Sequence, residues 1–133
     1  MNMNVGSPRG YTPDSSVLKD AALIAKSSGT AINLFNDPAA AVKGVDVIYT
    51  DVWASMGQEE EAQKRKLAFK DFQVNKDLVK LADKDVLIMH CLPAHRGEEI
   101  SDEVLDSKNA VVFDEAENRM HVQKAILIKL LGN

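Results

Sequence analysis

The run Val86-Leu87-Ile88-Met89-His90-Cys91-Leu92-Pro93 most constrains what this chain can become. Four apolar residues in succession read as a strand buried on both faces, the pattern of a central strand in a parallel sheet. The run then gives way to a histidine, the one cysteine of the sequence, a leucine and a proline. In open α/β sheets ligands gather at the carboxyl ends of the strands, where these polar groups fall. Cys91 is open to two roles. Free cysteine is among the most buried residue types and can simply fill a core. A lone cysteine can also be a nucleophile when a base stands beside it.

The rest of the chain supplies the partners that such a strand needs. Residues 3–7 read as an extended segment closed by Pro8-Arg9-Gly10. Thr12 offers a helix N-cap with Pro13 at the first helical position, where a missing N–H costs nothing. Val17, Leu18, Ala21, Ile24 and Ala25 then recur at helical spacing until Gly29. A strand at 31–35, a short helix from Asp37-Pro38 to Val42 and a strand at 45–50 follow. Glu59-Glu60-Glu61 places negative charge on the first turn of the next helix, with Glu60–Lys64 and Glu61–Arg65 spaced for pairing. A short helix over 76–82 leads into the strand at 86–90. Beyond it come a short helix at 102–105, a brief strand at 111–113 and a last helix over 115–131. Strands alternating with helices indicate an α/β fold with a parallel sheet. There is no G-x-G-x-x-G and no Walker sequence, so dinucleotide and nucleotide sites lose their main support.

At 133 residues one domain with one core is expected. A net charge of -4 argues against nucleic acid as a partner, which needs a basic stripe. Lys64-Arg65-Lys66 is balanced by the three glutamates before it and reads as a solvated helix face. One cysteine cannot build an internal disulfide framework, which fits a reducing compartment. No run approaches the roughly 18 apolar residues of a membrane span. Met1 to Gly6 lacks the basic-then-apolar order of a signal peptide. A cytoplasmic location without membrane contact is therefore expected.

Three clusters carry chemistry. The first is Asp51 with Ser55, Met56 and Gly57: a carboxylate at a strand end can hold an ammonium, while a hydroxyl and backbone N–H groups can hold a carboxylate. Aspartate and serine are equally common in capped turns for local hydrogen-bonding reasons. The second is His90, Cys91, Leu92 and Pro93, with His95 and Arg96 close by. His90, Cys91 and His95 invite a metal, but structural zinc wants four ligands in paired spacings and no second pair exists. The third is Asp114-Glu115-Ala116-Glu117-Asn118-Arg119, where Arg119 at a helix start could aim its guanidinium at a phosphate or a carbonyl. It could also be an exposed arginine paired with Glu115 or Glu117.

Taken together, D-x-W-x-S-M-G, H-C-L-P and E-A-E-N-R, in this order and at these separations, closely resemble the ornithine carbamoyltransferases. The likeness runs over essentially the whole chain from Pro-Arg-Gly-Tyr-Thr-Pro onward. The aspartate enzymes differ at the cysteine, and the putrescine relatives keep H-C-L-P but lack S-M-G. The resemblance implies transfer of a carbamoyl group from carbamoyl phosphate to the δ-amine of ornithine, giving citrulline and phosphate without metal or cofactor. Asp51, Ser55 and Met56 would hold the amino-acid head of ornithine, and the Ser-Met-Gly loop would close over it. Cys91 would lie beside the reacting amine, Cys91 and the Leu92 carbonyl would contact the carbamoyl group, and Arg119 would bind carbamoyl phosphate. The family's carbamoyl-phosphate domain, and the first strand and helix of its ornithine domain, have no counterpart in these residues. The chain thus reads as a partial ornithine-binding domain over 1–133 and is expected to be inactive alone. The alternative is a non-catalytic α/β module that keeps the motifs and serves in assembly or amino-acid binding.

That resemblance carries expectations about shape. The fold is a doubly wound, Rossmann-like parallel sheet flanked by helices, lacking its first, central strand. The strands at 3–7 and 45–50 have then each lost a neighbour. Met120, Val122, Ile126, Leu127, Ile128, Leu130 and Leu131 spread around most of the final helix and want cover. Either those two strands pair directly, or chains self-associate through the open edge and final helix. The trimer usual in the family is not assumed. Presenting Cys91 and the Leu92 carbonyl to one site also predicts a cis Leu92–Pro93 bond, for which X-Pro costs only ~0.5–1 kcal/mol.

Overall fold

A computed structural model of the chain describes residues 1–54, 57 and 61–132. The elements run β1 (Met3–Gly6), α1 (Ser15–Ser28), β2 (Ile32–Phe35), α2 (Pro38–Val42), β3 (Val47–Thr50), α3 (Ala62–Phe69), α4 (Lys76–Val79), β4 (Leu87–His90), α5 (Asp102–Leu105) and α6 (Val112–Leu131). Strands alternate with helices and every ladder is parallel, so the α/β expectation holds. β1 pairs with β2, and β3 with β4, as two separate two-stranded sheets.

Several boundaries move for local reasons. α1 is capped by Asp14 rather than Thr12, because the Asp14 carboxylate accepts the Ser16 N–H at 2.8 Å. Gly29, at φ 66°, ends it by returning its N–H to the Ala25 carbonyl, the left-handed cap that glycine adopts without steric cost. The helix expected over 76–82 is a single turn capped by Asn75, whose side chain accepts the Leu78 N–H at 3.0 Å. The strand expected at 111–113 does not form. Val111 gives its N–H to Ile88 in one bridge, and its carbonyl then accepts from Glu115 as α6 begins. The Glu61–Arg65 pair forms at 3.3 Å, while Glu60 lies outside the described residues.

The sheet does not close over its gap. β1 and β3 are not hydrogen-bonded to each other, contrary to the direct pairing considered above. The reason lies in α2, which packs on β1, on β2 and on α4 and so spaces the two halves. Gly6 lets it approach, since a Cβ there would sit 3.1 Å from the Ala41 Cβ.

Nor is β4 buried on both faces. Ile88 is fully buried, whereas Leu87 is 43% exposed. Alternation along the strand explains the difference. Ile48, Val86 and Ile88 point into a core shared with Val74, Ile100, Val104, Leu105 and Val112. Val47, Tyr49 and Leu87 point to the opposite, open side, which α6 approaches along β4. α6 itself is exposed at every described position from Ala116 onward. Among the described residues, no helix is long and apolar enough to cross a membrane.

Candidate active site

The in-register pairing of β3 and β4 builds the site. Thr50 stands opposite His90, so Asp51 emerges opposite Cys91. The two residues, 40 positions apart, meet through a bond from Cys91 Sγ to Asp51 Oδ1 of 3.1 Å. Burial, then the Asp51 hydrogen bond and charge, push the Cys91 thiol above its ordinary pKa, with a smaller opposing pull from Tyr49. Cys91 is half-buried and Asp51 exposed.

Strand alternation sends His90 the other way. Its side chain is completely buried, as is that of Glu99, and Nε2 lies 3.0 Å from Glu99 Oε1. Nδ1 accepts the Leu92 N–H at 2.9 Å. Glu99 Oε1 also accepts the His95 N–H at 2.6 Å, while Oε2 is buried with no partner among the described residues. Leu92 has φ 53°, a left-handed conformation unusual for a bulky residue, and the Leu92–Pro93 peptide is cis, as predicted.

The loop bearing Glu99 is tied down from several directions. Gln73 donates to the Gly97 and Glu98 carbonyls, both at 2.9 Å, and Lys66 pairs with Glu98 at 2.6 Å. Arg96 grips Asp106 through both nitrogens and Asp102 through one. On the other flank, Tyr11, Trp53, Phe69 and Phe72 form an aromatic cluster, with the Arg65 guanidinium over the Tyr11 ring. Trp53 in this way anchors the chain just beyond Asp51.

α6 closes the remaining side. Glu115, in its first turn, accepts from the Tyr49 hydroxyl at 3.0 Å and from the His90 N–H at 3.2 Å. Partial desolvation, then the bond to Glu115 and its charge, push the Tyr49 phenol up to about 12, with Cys91 adding to the shift. Between β4 and α6 lies a cleft of about 730 Å³ whose wall includes Tyr49, Leu87, Met89, Cys91 and Arg119. Arg119 stands about two turns into α6, not at its start. Its acidic neighbours have other partners, Glu115 as above and Glu117 with His121 at 3.1 Å, rather than the local pairing given as the alternative for Arg119.

Cys91 thus meets Asp51 and shares the cleft wall with Arg119, the Leu92 N–H is held by the buried His90, and Ser55 and Met56 lie outside the described residues. The structure divides the His90, Cys91, His95 trio into two groups, Asp51 with His90 and Cys91, and His95 with Glu98 and Glu99. Both nitrogens of His90 are already hydrogen-bonded, and Glu98 is paired with Lys66. Sequence reasoning did not single out Tyr49 or Glu99. Neither sits in a spacing that marks it, and both acquire partners only through tertiary contact.

Residues 1–130 match the family model described as aspartate/ornithine carbamoyltransferase, Asp/Orn binding domain. The ornithine carbamoyltransferase of Pyrococcus horikoshii is 62% identical over 128 residues, covering 96% of this chain and 40% of that protein. The solved ornithine carbamoyltransferase of Pyrococcus furiosus superposes with a TM-score of 0.89 at 59% identity, over 96% of this chain and 41% of the other. The anabolic enzyme of Campylobacter jejuni gives a TM-score of 0.91 at 38% identity, over 97% and 43%. The chain therefore spans about two-fifths of the length of these relatives. With its fold and nearly its whole length matched, the chain belongs to the aspartate/ornithine carbamoyltransferase Asp/Orn-binding domain family.

Proposed function

We propose that this chain is the ornithine-binding portion of an enzyme that transfers a carbamoyl group from carbamoyl phosphate to the δ-amine of ornithine. The products are citrulline and phosphate. The observation that carries the proposal is the 3.1 Å Asp51–Cys91 contact at the carboxyl ends of two paired strands, beside a cleft walled by Arg119. Asp51, Ser55 and Met56 hold the amino-acid head, and Cys91 and the Leu92 carbonyl face the reacting amine and carbamoyl group. The Arg119 guanidinium takes the anionic donor. A cytoplasmic setting belongs to the same proposal.

In the reaction the amine lone pair attacks the carbamoyl carbon, the carbon–oxygen bond to phosphate breaks, phosphate leaves and the nitrogen sheds a proton. A primary alkyl ammonium has a pKa near ~10.4, so the amine must first be deprotonated. A covalent cysteine nucleophile needs a depressed pKa, the opposite of what Asp51 imposes on Cys91. The thiol is better suited to relay the proton, with the Asp51 carboxylate as acceptor.

Alone, the 133-residue chain should form no measurable citrulline, because Arg119 by itself does not hold carbamoyl phosphate in line with the amine. Such positioning is worth ~7–11 kcal/mol. Supplied with the carbamoyl-phosphate domain and missing strand of a relative, it should form citrulline, and Asp51→Asn should abolish most of that rate. No citrulline from the complemented chain would refute the proposal.

A second role rests on a different observation. The apolar face of β3–β4 and the exposed α6 need cover, and we propose that copies of the isolated chain associate through them. This would also serve a non-catalytic assembly module.

A further inference from the structure

We infer that the buried His90–Glu99 pair positions the Cys91–Leu92 peptide, and that His90 is not the base serving Cys91. What Leu92 and Cys91 do rests on the carbamoyl-transfer proposal; how they are held does not. Nδ1 of His90 accepts the Leu92 N–H at 2.9 Å, and a ring nitrogen that accepts an N–H carries no proton. The ring proton is therefore on Nε2, donated to Glu99 Oε1 at 3.0 Å. The imidazole is neutral, and its one basic lone pair is already used.

Glu99 is fixed in turn. Its Oε1 takes the His95 N–H, and its carbonyl accepts the Val74 N–H at 2.8 Å. Leu92 at φ 53° occupies a region that side chains avoid, and such residues persist where their surroundings over-determine them. The bond from His90 to Leu92 spans two residues, the same reach by which asparagine and aspartate side chains hold turns. With this peptide drawn inward to the ring, Cys91 is left facing Asp51. The charged and titratable groups around the thiol are Tyr49 from β3, Asp51 just beyond it, Glu115 behind Tyr49, Asp114 and Arg119 on the α6 wall of the cleft, and His90.

Two measurements on the 133-residue chain test the inference. Side-chain nitrogen NMR should find His90 Nδ1 unprotonated and Nε2 protonated, the signal being assigned by its loss in His90→Asn. The rate of Cys91 alkylation by iodoacetamide should then be followed against pH. Asparagine offers an oxygen to the Leu92 N–H but no base. His90→Asn should keep the wild-type midpoint, whereas Asp51→Asn should move it to lower pH. A protonated Nδ1, or a His90→Asn midpoint displaced as far as that of Asp51→Asn, would overturn the inference. In the complemented enzyme His90→Asn should cost less than about tenfold in kcat, against the ~10²–10⁴-fold of a lost general base. A loss of that larger size would also overturn it. If the NMR and alkylation results hold but complemented wild type forms no citrulline, the transferase proposal fails and the positioning role stands.

Discussion

Adjacent residues of H-C-L-P meet different demands because a strand alternates. His90 turns into the core to Glu99, Cys91 turns out to Asp51, and Leu92 leaves the strand in a left-handed conformation. Glu115 links the two sides by accepting from both Tyr49 and the His90 backbone. Replacing Glu115 with glutamine should therefore lower the Tyr49 pKa from about 12 toward its ordinary value of 10.0, without restoring it fully, since burial is the larger cause. Phenolate absorbance followed through an alkaline titration measures this. The folded state holds the Tyr49 proton more tightly than the unfolded chain. Its contribution to stability is thus complete below pH 10 and is lost as pH rises through about 12. The Glu115→Gln variant should lose less stability across that window, which denaturant melts at several pH values would show.

The elements divide into a well-packed set and an open one. Ile88 is fully buried on the inner face of β4, and Ile88→Ala should cost ~2–5 kcal/mol by lost transfer energy and cavity formation. Ile128 and Leu131 on α6 are exposed, so Ile128→Glu should change monomer stability by no more than about 0.5 kcal/mol. Between these extremes, Asn75→Ala removes the cap of α4 and should cost about 1 kcal/mol. Urea denaturation of the three variants should rank them in that order. Equal losses at Ile88 and Ile128 would mean that α6 is packed in a way the exposed helix does not suggest.

For the whole molecule, what matters is what two-fifths of a family architecture leaves uncovered. Each large apolar side chain left in water forfeits ~1.5–3 kcal/mol of possible burial. Val47, Leu87, Val122, Ile126 and Leu130 are among those exposed on β3, β4 and α6. Contiguous apolar surface and open strand edges of this kind drive association. Sedimentation of the purified chain should show dimers or larger species, and the double substitution Ile128→Glu with Leu131→Glu should return them toward monomer. A wild-type chain that sediments as a monodisperse monomer would count against self-association.

The parallel α/β order and the caps at Asp37 and Gly29 were legible in the residues themselves, whereas Asp51 was set with Cys91 by the family resemblance, and the two side chains do meet. Capping and periodicity are local, and motifs with fixed spacing carry their chemistry with them. The family resemblance also implied that β1 and β3 would not be neighbours in a continuous sheet, and the two strand pairs stand as separate sheets. Tertiary structure alone decided that the gap stays open, because only there does α2 meet β1, β2 and α4 together. It likewise decided that Val111 begins a helix rather than a strand, since one bridge to Ile88 satisfies the N–H a strand would have used. The burial of His90 against Glu99 and the joining of Tyr49 to Glu115 have no local signature. They arise from partners 9 and 66 residues apart, brought together by strand register and by the entry of α6, and no periodicity in the sequence encodes such a meeting.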